Sequence, residues 1–195
     1  GLITVVKTGR IPLRYSPGLS LKNPYKLPEQ LALFTDGDSL SAINRFNYDI
    51  SEIGHMDYVT SALAYHLVKS PKVLISGLSG GENILRALYF NSEKIDVVET
   101  NPQIVELLKK EYNNFSGNIY DLPTIKIYVG NLRNFLIKTK NLYNVIFIPP
   151  ENSSSMSSVG FESVNVSNLF TVEAIKVYLD KLKTNGILSI TSWIK

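Results

Sequence analysis

Residues 73–99, VLISGLSGGENILRALYFNSEKIDVVE, decide the fold. Val73, Leu74 and Ile75 make a short apolar run, and Gly77, Gly80 and Gly81 punctuate a turn. A helical pattern follows, and a second apolar run ends on an acid, Glu99. The expected order is strand, loop, helix, strand. Glycines let a backbone turn sharply and approach a ligand, and the next helix offers unpaired N–H groups at its positive end. A carboxylate closing the second strand can accept hydrogen bonds from both hydroxyls of a ribose. Glu99 stands near the usual offset for such an acid, about twenty residues past the glycines. The loop does not spell G-x-G-x-x-G, because Leu78 and Ser79 separate Gly77 from the Gly80-Gly81 pair. A dinucleotide is therefore disfavoured, and an adenosyl ligand without a pyrophosphate fits better. A second reading stays open, in which Gly80 and Gly81 only let helix and strand pack closely.

Outward from this unit the same alternation continues. Asn101 can cap a helix and Pro102 can occupy its first turn, with Ile104, Val105, Leu107 and Leu108 as its buried face. Residues 113–123 are polar and turn-rich, after which Ile125, Ile127 and Val129 alternate with Lys126 and Tyr128 as a strand before Gly130-Asn131. Residues 132–138 read as a short helix. The run NVIFI at 144–148 reads as a strand covered on both faces and stops at Pro149-Pro150. The serine-rich stretch 152–158 is expected to be a surface loop near enough to the cleft to act as a lid. A helix over 170–182 and a fifth strand at 187–190 follow. The finish soon after that strand suggests a fragment of a longer polypeptide.

Towards the N-terminus, Val59, Ala62, Leu63 and Leu67 recur at helical spacing and predict a helix over 56–68. Residues 2–7, 11–15 and 31–35 read as strands, with Thr8-Gly9-Arg10 and Asp36-Gly37 as turns and Pro17, Pro24 and Pro28 interrupting the chain between. Residues 1–50 are thus expected to be a β-rich segment, either a small antiparallel cap or a meander covering one sheet edge. Residues 51–195 are expected to be an α/β domain with a mostly parallel, Rossmann-like sheet, whose ligands sit beyond the carboxyl ends of the strands. The loops at 76–82, 99–101, 130–131 and 149–158 should converge there.

Composition narrows the function classes. The 195 residues, 44% hydrophobic and 19% charged, suit one domain with a small appendage. A net charge of +3 is spread over 20 basic and 17 acidic side chains without a basic run, so nucleic acid is not required as a partner. The absence of Cys excludes disulfides, thiolate metal ligands and a cysteine nucleophile. With His55 and His66 as the only histidines, a zinc site or a Ser-His-Asp triad has little material. The apolar runs fall short of the ~20 residues of a bilayer span, and no signal-peptide pattern opens the chain.

In order and spacing these residues resemble the spermidine synthase-like (polyamine aminopropyltransferase) branch of the class I S-adenosylmethionine-dependent methyltransferase folds, over nearly the whole chain. LFTDG at 33–37 resembles that family's Leu-Asp-Gly-like turn, and His55-Met56-Asp57 falls at its Tyr-His-Glu element. Residues 73–81 are similar to its VLIIGGGDGG loop, Glu99-Thr100-Asn101 to its ribose-binding Glu-Ile-Asp, and Gly130-Asn131 to its adenine-side Gly-Asp. Leu169-Phe170 and Gly186-Ile187-Leu188 match its late helix and strand. The resemblance implies S-adenosylmethionine or its decarboxylated form as cosubstrate. It also implies contacts from Gly77, Ser79, Gly80, Gly81, Glu99, Thr100, Asn101, Gly130, Asn131 and Pro149. A homodimer, a cytoplasmic setting and fusion to membrane-spanning segments outside this chain are known in the family and are expectations here.

The departures bear on catalysis. Pro149 stands where polyamine-forming members carry the Asp that helps deprotonate the attacking amine, Ser79 replaces the Asp of the glycine loop, Asn131 replaces the adenine-side Asp, and Leu40 falls near a Gln used on the nucleoside. Loss of one general base typically costs ~10² to 10⁴ in rate, unless Asp57 or Glu151 substitutes. Asp57 reads equally as a helix cap and Glu151 as a solvated loop charge. Three functions remain open: an adenosyl-binding aminopropyltransferase-like domain, a methyltransferase of unknown acceptor, and a non-catalytic sensor or scaffold.

Overall fold

The computed structural model describes residues 1–9, 11–37, 39–149 and 169–191. Strands β1 (Ile3–Val6), β2 (Gln30–Thr35) and β3 (Ser39–Asn44) form an antiparallel sheet in that order. A second sheet holds β4 (Lys72–Ser76), β5 (Lys94–Glu99), β6 (Ile125–Val129), β7 (Tyr143–Ile148) and β8 (Leu182–Ile190). Its order is β6-β5-β4-β7-β8, and every pairing is parallel. Helices α1 (Leu63–His66), α2 (Glu82–Tyr89), α3 (Pro102–Lys110), α4 (Leu132–Lys138) and α5 (Val172–Asp180) connect the strands. This is an α/β Rossmann-like fold with a small antiparallel N-terminal sheet. Among the described residues no helix is long and apolar enough to cross a membrane.

Sequence explains the layers. Val73, Leu74 and Ile75 of β4 and Val145, Ile146 and Phe147 of β7 are wholly buried, as strands covered on both faces must be. On one face Val73, Ile75, Val145 and Phe147 join α2 and the N-terminal Leu31, Leu33, Ile43 and Phe46 in one core. On the other, Leu74 and Ile146 pack with Leu136 of α4 and Tyr178 of α5. The winding reverses between β4 and β7, which opens a crevice at their carboxyl ends.

Two expectations give way to the structure, and one strand goes beyond them. Residues 11–15 form no strand, because the Gln30 side chain takes the backbone partners a ladder would use: Tyr15 N donates to Gln30 Oε1 at 2.8 Å and Gln30 Nε2 to Tyr15 O at 2.8 Å. The helix expected over 56–68 is instead 3₁₀ turns at Ile50–Tyr58 and Thr60–Ala62 followed by the single turn α1. Its break is Val59, which is extended and bridges Leu19, while Ser20 N donates to Tyr58 O and Thr60 N to Gly18 O. Strand β3, of sequence SLSAIN, has no counterpart in the expected elements. The serine-rich stretch 152–158 lies outside the described residues.

Candidate functional site

Glu99 ends β5 with its carboxylate turned into the neighbouring loops. Oε2 accepts from Leu78 N at 2.7 Å, and Oε1 accepts from Asn101 N at 2.7 Å and from Thr100 Oγ1 at 3.4 Å. Glu99 is 6% exposed, so it first serves as a clamp between the loops after β4 and β5. Room for one ribose hydroxyl remains, because a carboxylate offers about four acceptor positions and Leu78 N, Asn101 N and Thr100 Oγ1 take three. Alongside it, Gly77 N donates to Val98 O and Gly130 N to Glu99 O, both at 2.8 Å, which draws the loops after β4, β5 and β6 to one edge.

The glycines of the first loop serve different ends. Gly77 has φ +86° and nothing nearer than Ser79 Oγ, at 4.0 Å, where a Cβ would stand, so its backbone is open to a ligand. A Cβ on Gly80 would overlap the Ala42 carbonyl of β3, and one on Gly81, at φ +88°, would run into the Tyr120 hydroxyl. Gly81 also bridges Ile43. The close packing at Gly80 and Gly81 is thus against β3 and Tyr120.

Beyond Ser79 lies a cavity of about 160 Å³, lined in part by Tyr15, Ser41, Ser79, Glu82, Arg86 and Pro149. It is smaller than the roughly 300–1,000 Å³ typical of whole-ligand sites, so it suits a fragment such as an alkyl tail. Leu78 bonds Glu99 and the next residue lines the cavity, so the crevice at Glu99 and the cavity share one loop.

Two charges shape the cavity wall. Glu82 Oε1 accepts from Ser16 Oγ at 3.3 Å and from Arg86 Nη2 at 3.2 Å. Arg86, 3% exposed, also donates from Nη1 to Asn83 Oδ1 at 2.8 Å and lies over the Phe147 ring at 5.6 Å. Burial pushes the Glu82 carboxyl above its ordinary range, against the downward pull of Arg86 and Ser16. Nearby His55 is fully buried, and neither ring nitrogen has a hydrogen-bond partner among the described residues. Burial, with the Arg86 charge second, pushes its pKa down to about 4.

Of the residues expected at the site, Gly77, Glu99, Thr100, Asn101, Gly130 and Asn131 gather at the carboxyl edge of β4, β5 and β6. Asn101 Oδ1 accepts from Gln103 N at 3.0 Å and Asn131 Oδ1 from Asn134 N at 3.3 Å, so both cap helices and keep their amide nitrogens for other partners. Ser79, Gly80 and Pro149 line the cavity. Asp57 pairs with His66 Nε2 at 2.9 Å and is absent from the cavity lining. Glu151 lies outside the described residues. Glu82 and Arg86 carry the cavity's charge without having been assigned a role from sequence. The available signal was an acid directly after Gly-Gly, in a helix's first turn, four residues before an arginine.

The family model of the spermine/spermidine synthase domain matches residues 50–192. This chain belongs to the spermine/spermidine synthase family. Among its relatives, a polyamine aminopropyltransferase of Prochlorococcus marinus is 27% identical over 193 residues, covering 98% of this chain and 61% of the relative. One from Streptococcus pneumoniae is 27% identical over 138 residues, covering 68% and 45%. The chain therefore spans about half to three-fifths of the length of these family members. In fold it resembles the spermidine synthase from Thermotoga maritima, with a TM-score of 0.57, 22% identity, and 82% of this chain and 48% of that one covered. A spermidine synthase in complex with the transition state analogue AdoDATO is similar to the same extent, with a TM-score of 0.58 and 22% identity over the same shares.

Proposed function

We propose that this chain is the cosubstrate-holding part of a spermidine synthase-like transferase that binds S-adenosylmethionine or its decarboxylated form. The observation that carries the reading is the shared loop: Leu78 is bonded to Glu99 while Ser79 opens onto the cavity. A nucleoside lying along Gly77 would meet a carboxylate with spare acceptor capacity at its ribose and the Asn131 amide nitrogen at its base. Its sulfonium-bearing tail would then pass Ser79 into a space sized for a short chain. The Glu99 carboxylate, immobilised by two backbone donors, is pre-organised for a ribose hydroxyl and loses little freedom on binding.

Methyl transfer is a second reading, favoured by Pro149, which offers the cavity no proton acceptor. An acceptor that is already nucleophilic needs mainly positioning. The experiment is calorimetry of the full-length protein with S-adenosylmethionine, decarboxylated S-adenosylmethionine and methylthioadenosine. Binding of at least one, weakened by Glu99→Ala, is expected. No heat with any of the three at about a millimolar, the weak end of specific affinity, rejects an adenosyl site.

A further inference from the structure

The cavity beyond Ser79 carries both signs of charge side by side. Among the described residues that line it, Glu82 and Arg86 are the charged ones, and their largely buried side chains meet at 3.2 Å. Ser16 and Arg86 both donate to Glu82 Oε1, and Oε2 accepts no hydrogen bond among the described residues. Arg86 spends one N–H on Glu82 and one on Asn83, while its Nε is buried with no partner among the described residues. A guanidinium has further N–H groups to give. The hydroxyls of Ser41, Thr60, Ser61 and Ser79 complete the polar part of the wall. This arrangement distinguishes between tails. A lone ammonium would be drawn to Glu82 and repelled by the adjacent Arg86, so it would give up its hydration for little net attraction. An α-amino acid head carries both signs on one carbon and can lie antiparallel to the Glu82–Arg86 pair. Its ammonium then finds the open Oε2 and its carboxylate finds N–H and O–H donors, which leaves neither charge unpaired away from water.

We infer that this cavity selects the intact methionine tail of S-adenosylmethionine over the decarboxylated tail, with Glu82 taking the ammonium and Arg86 the carboxylate, an inference that rests on the adenosyl-binding reading above. Ser16 and Asn83 are positioning residues, which hold the carboxylate and the guanidinium in place. The chain on the sulfur of S-adenosylmethionine still bears its carboxylate and is no aminopropyl group. The selection therefore favours methyl transfer over aminopropyl transfer.

The test is calorimetry of the full-length protein with S-adenosylmethionine, its decarboxylated form, S-adenosylhomocysteine and methylthioadenosine. S-adenosylhomocysteine keeps the zwitterion without the sulfonium charge, and methylthioadenosine lacks the tail. S-adenosylmethionine should bind about tenfold or more tighter than the decarboxylated form, and S-adenosylhomocysteine about tenfold or more tighter than methylthioadenosine, the worth of one hydrogen bond to a charged group. A decarboxylated form that binds as tightly as S-adenosylmethionine overturns the inference, as does S-adenosylhomocysteine that binds no tighter than methylthioadenosine. Binding of methylthioadenosine without these preferences removes this inference alone, whereas no binding of any of these ligands removes the adenosyl reading and the inference with it. Arg86→Met assigns the preference to its residue. With methylthioadenosine as the reference ligand in each protein, it should erase the advantage of S-adenosylmethionine over the decarboxylated form, and an undiminished advantage overturns the proposal. If Arg86→Met does not fold, Glu82→Gln decides: it should weaken both tail-bearing donors relative to methylthioadenosine, and unaltered ratios overturn the proposal.

Discussion

At the scale of single residues, His55 ties stability to acid pH. Its side chain is buried beside the Arg86 charge, so the folded protein holds it neutral until its pKa of about 4, whereas an unfolded chain protonates it near 6.5. Below pH 6.5 the unfolded state binds the extra proton first, and stability falls as pH drops towards 4. The full loss is about 3 kcal/mol at 1.36 kcal/mol per unit. Glu82 works in the opposite direction, since its raised carboxyl takes up a proton in the folded state first and gains stability on acidification. A comparison of variants therefore isolates His55 better than the wild-type slope does. Replacing His55→Leu should flatten the decline between neutral and mildly acid pH, measured as urea unfolding free energy across that range. An unaltered slope would mean that His55 is hydrogen-bonded and charged in the fold.

At the scale of elements, the loop from β4 to α2 sorts its glycines by what lies against them. Gly80 is pressed on the β3 backbone, which cannot move aside as a flexible side chain would, whereas Gly77 faces open space. Gly80→Ala should therefore push β3 off the loop and cost more stability than the roughly 1–3 kcal/mol of ordinary overpacking. Gly77→Ala should cost only the roughly 1–2 kcal/mol of a side chain in left-handed backbone, and its main effect should be weaker methylthioadenosine binding. Urea unfolding and calorimetry on both variants separate the two, and equal stabilities would refute the difference in packing. Legibility in the sequence follows the same lines. Strands β4, β5 and β7 show in their apolar runs, and α3 shows in its Asn-Pro cap, because the forces that form them are local or depend on burial alone. Strand β3 is not legible, since SLSAIN lacks a clear alternation and is ordered by backbone pairing with β2. The same holds for residues 11–15, overridden by the Gln30 side chain, and for the kink at Val59, set by residues 18–20. In the site, the gathering of Glu99, Gly130 and Asn131 at one edge is readable from strand ends. Of the Glu82 cavity, the meeting of Ser79, Glu82 and Pro149 is readable from strand ends, but the walls at Tyr15 and Ser41 are not, because no local pattern encodes their docking.

At the scale of the molecule, those walls join the two sheets. Tyr15 and Ser41 belong to the N-terminal part and Ser79, Glu82 and Pro149 to the parallel-sheet part, so the cavity exists only while both are docked. What docks them is apolar: Leu31, Leu33, Ile43 and Phe46 lie in the same core as Val73, Ile75 and Ile84. At roughly 1.5–3 kcal/mol for each buried side chain, exposing those four would cost roughly 6–12 kcal/mol, comparable to the whole stability of a domain, about 5–15 kcal/mol. The N-terminal sheet therefore has no separate folded life, and the described residues should melt in one transition with equal calorimetric and van't Hoff enthalpies. Methylthioadenosine, bound along the loop that touches β3, should raise the temperature of that single transition and slow amide exchange in β3 together with residues 77–81. Two resolved transitions, or protection confined to the loop while β3 exchanges as in the free protein, would show that the sheets are only loosely joined and that the cavity opens without unfolding.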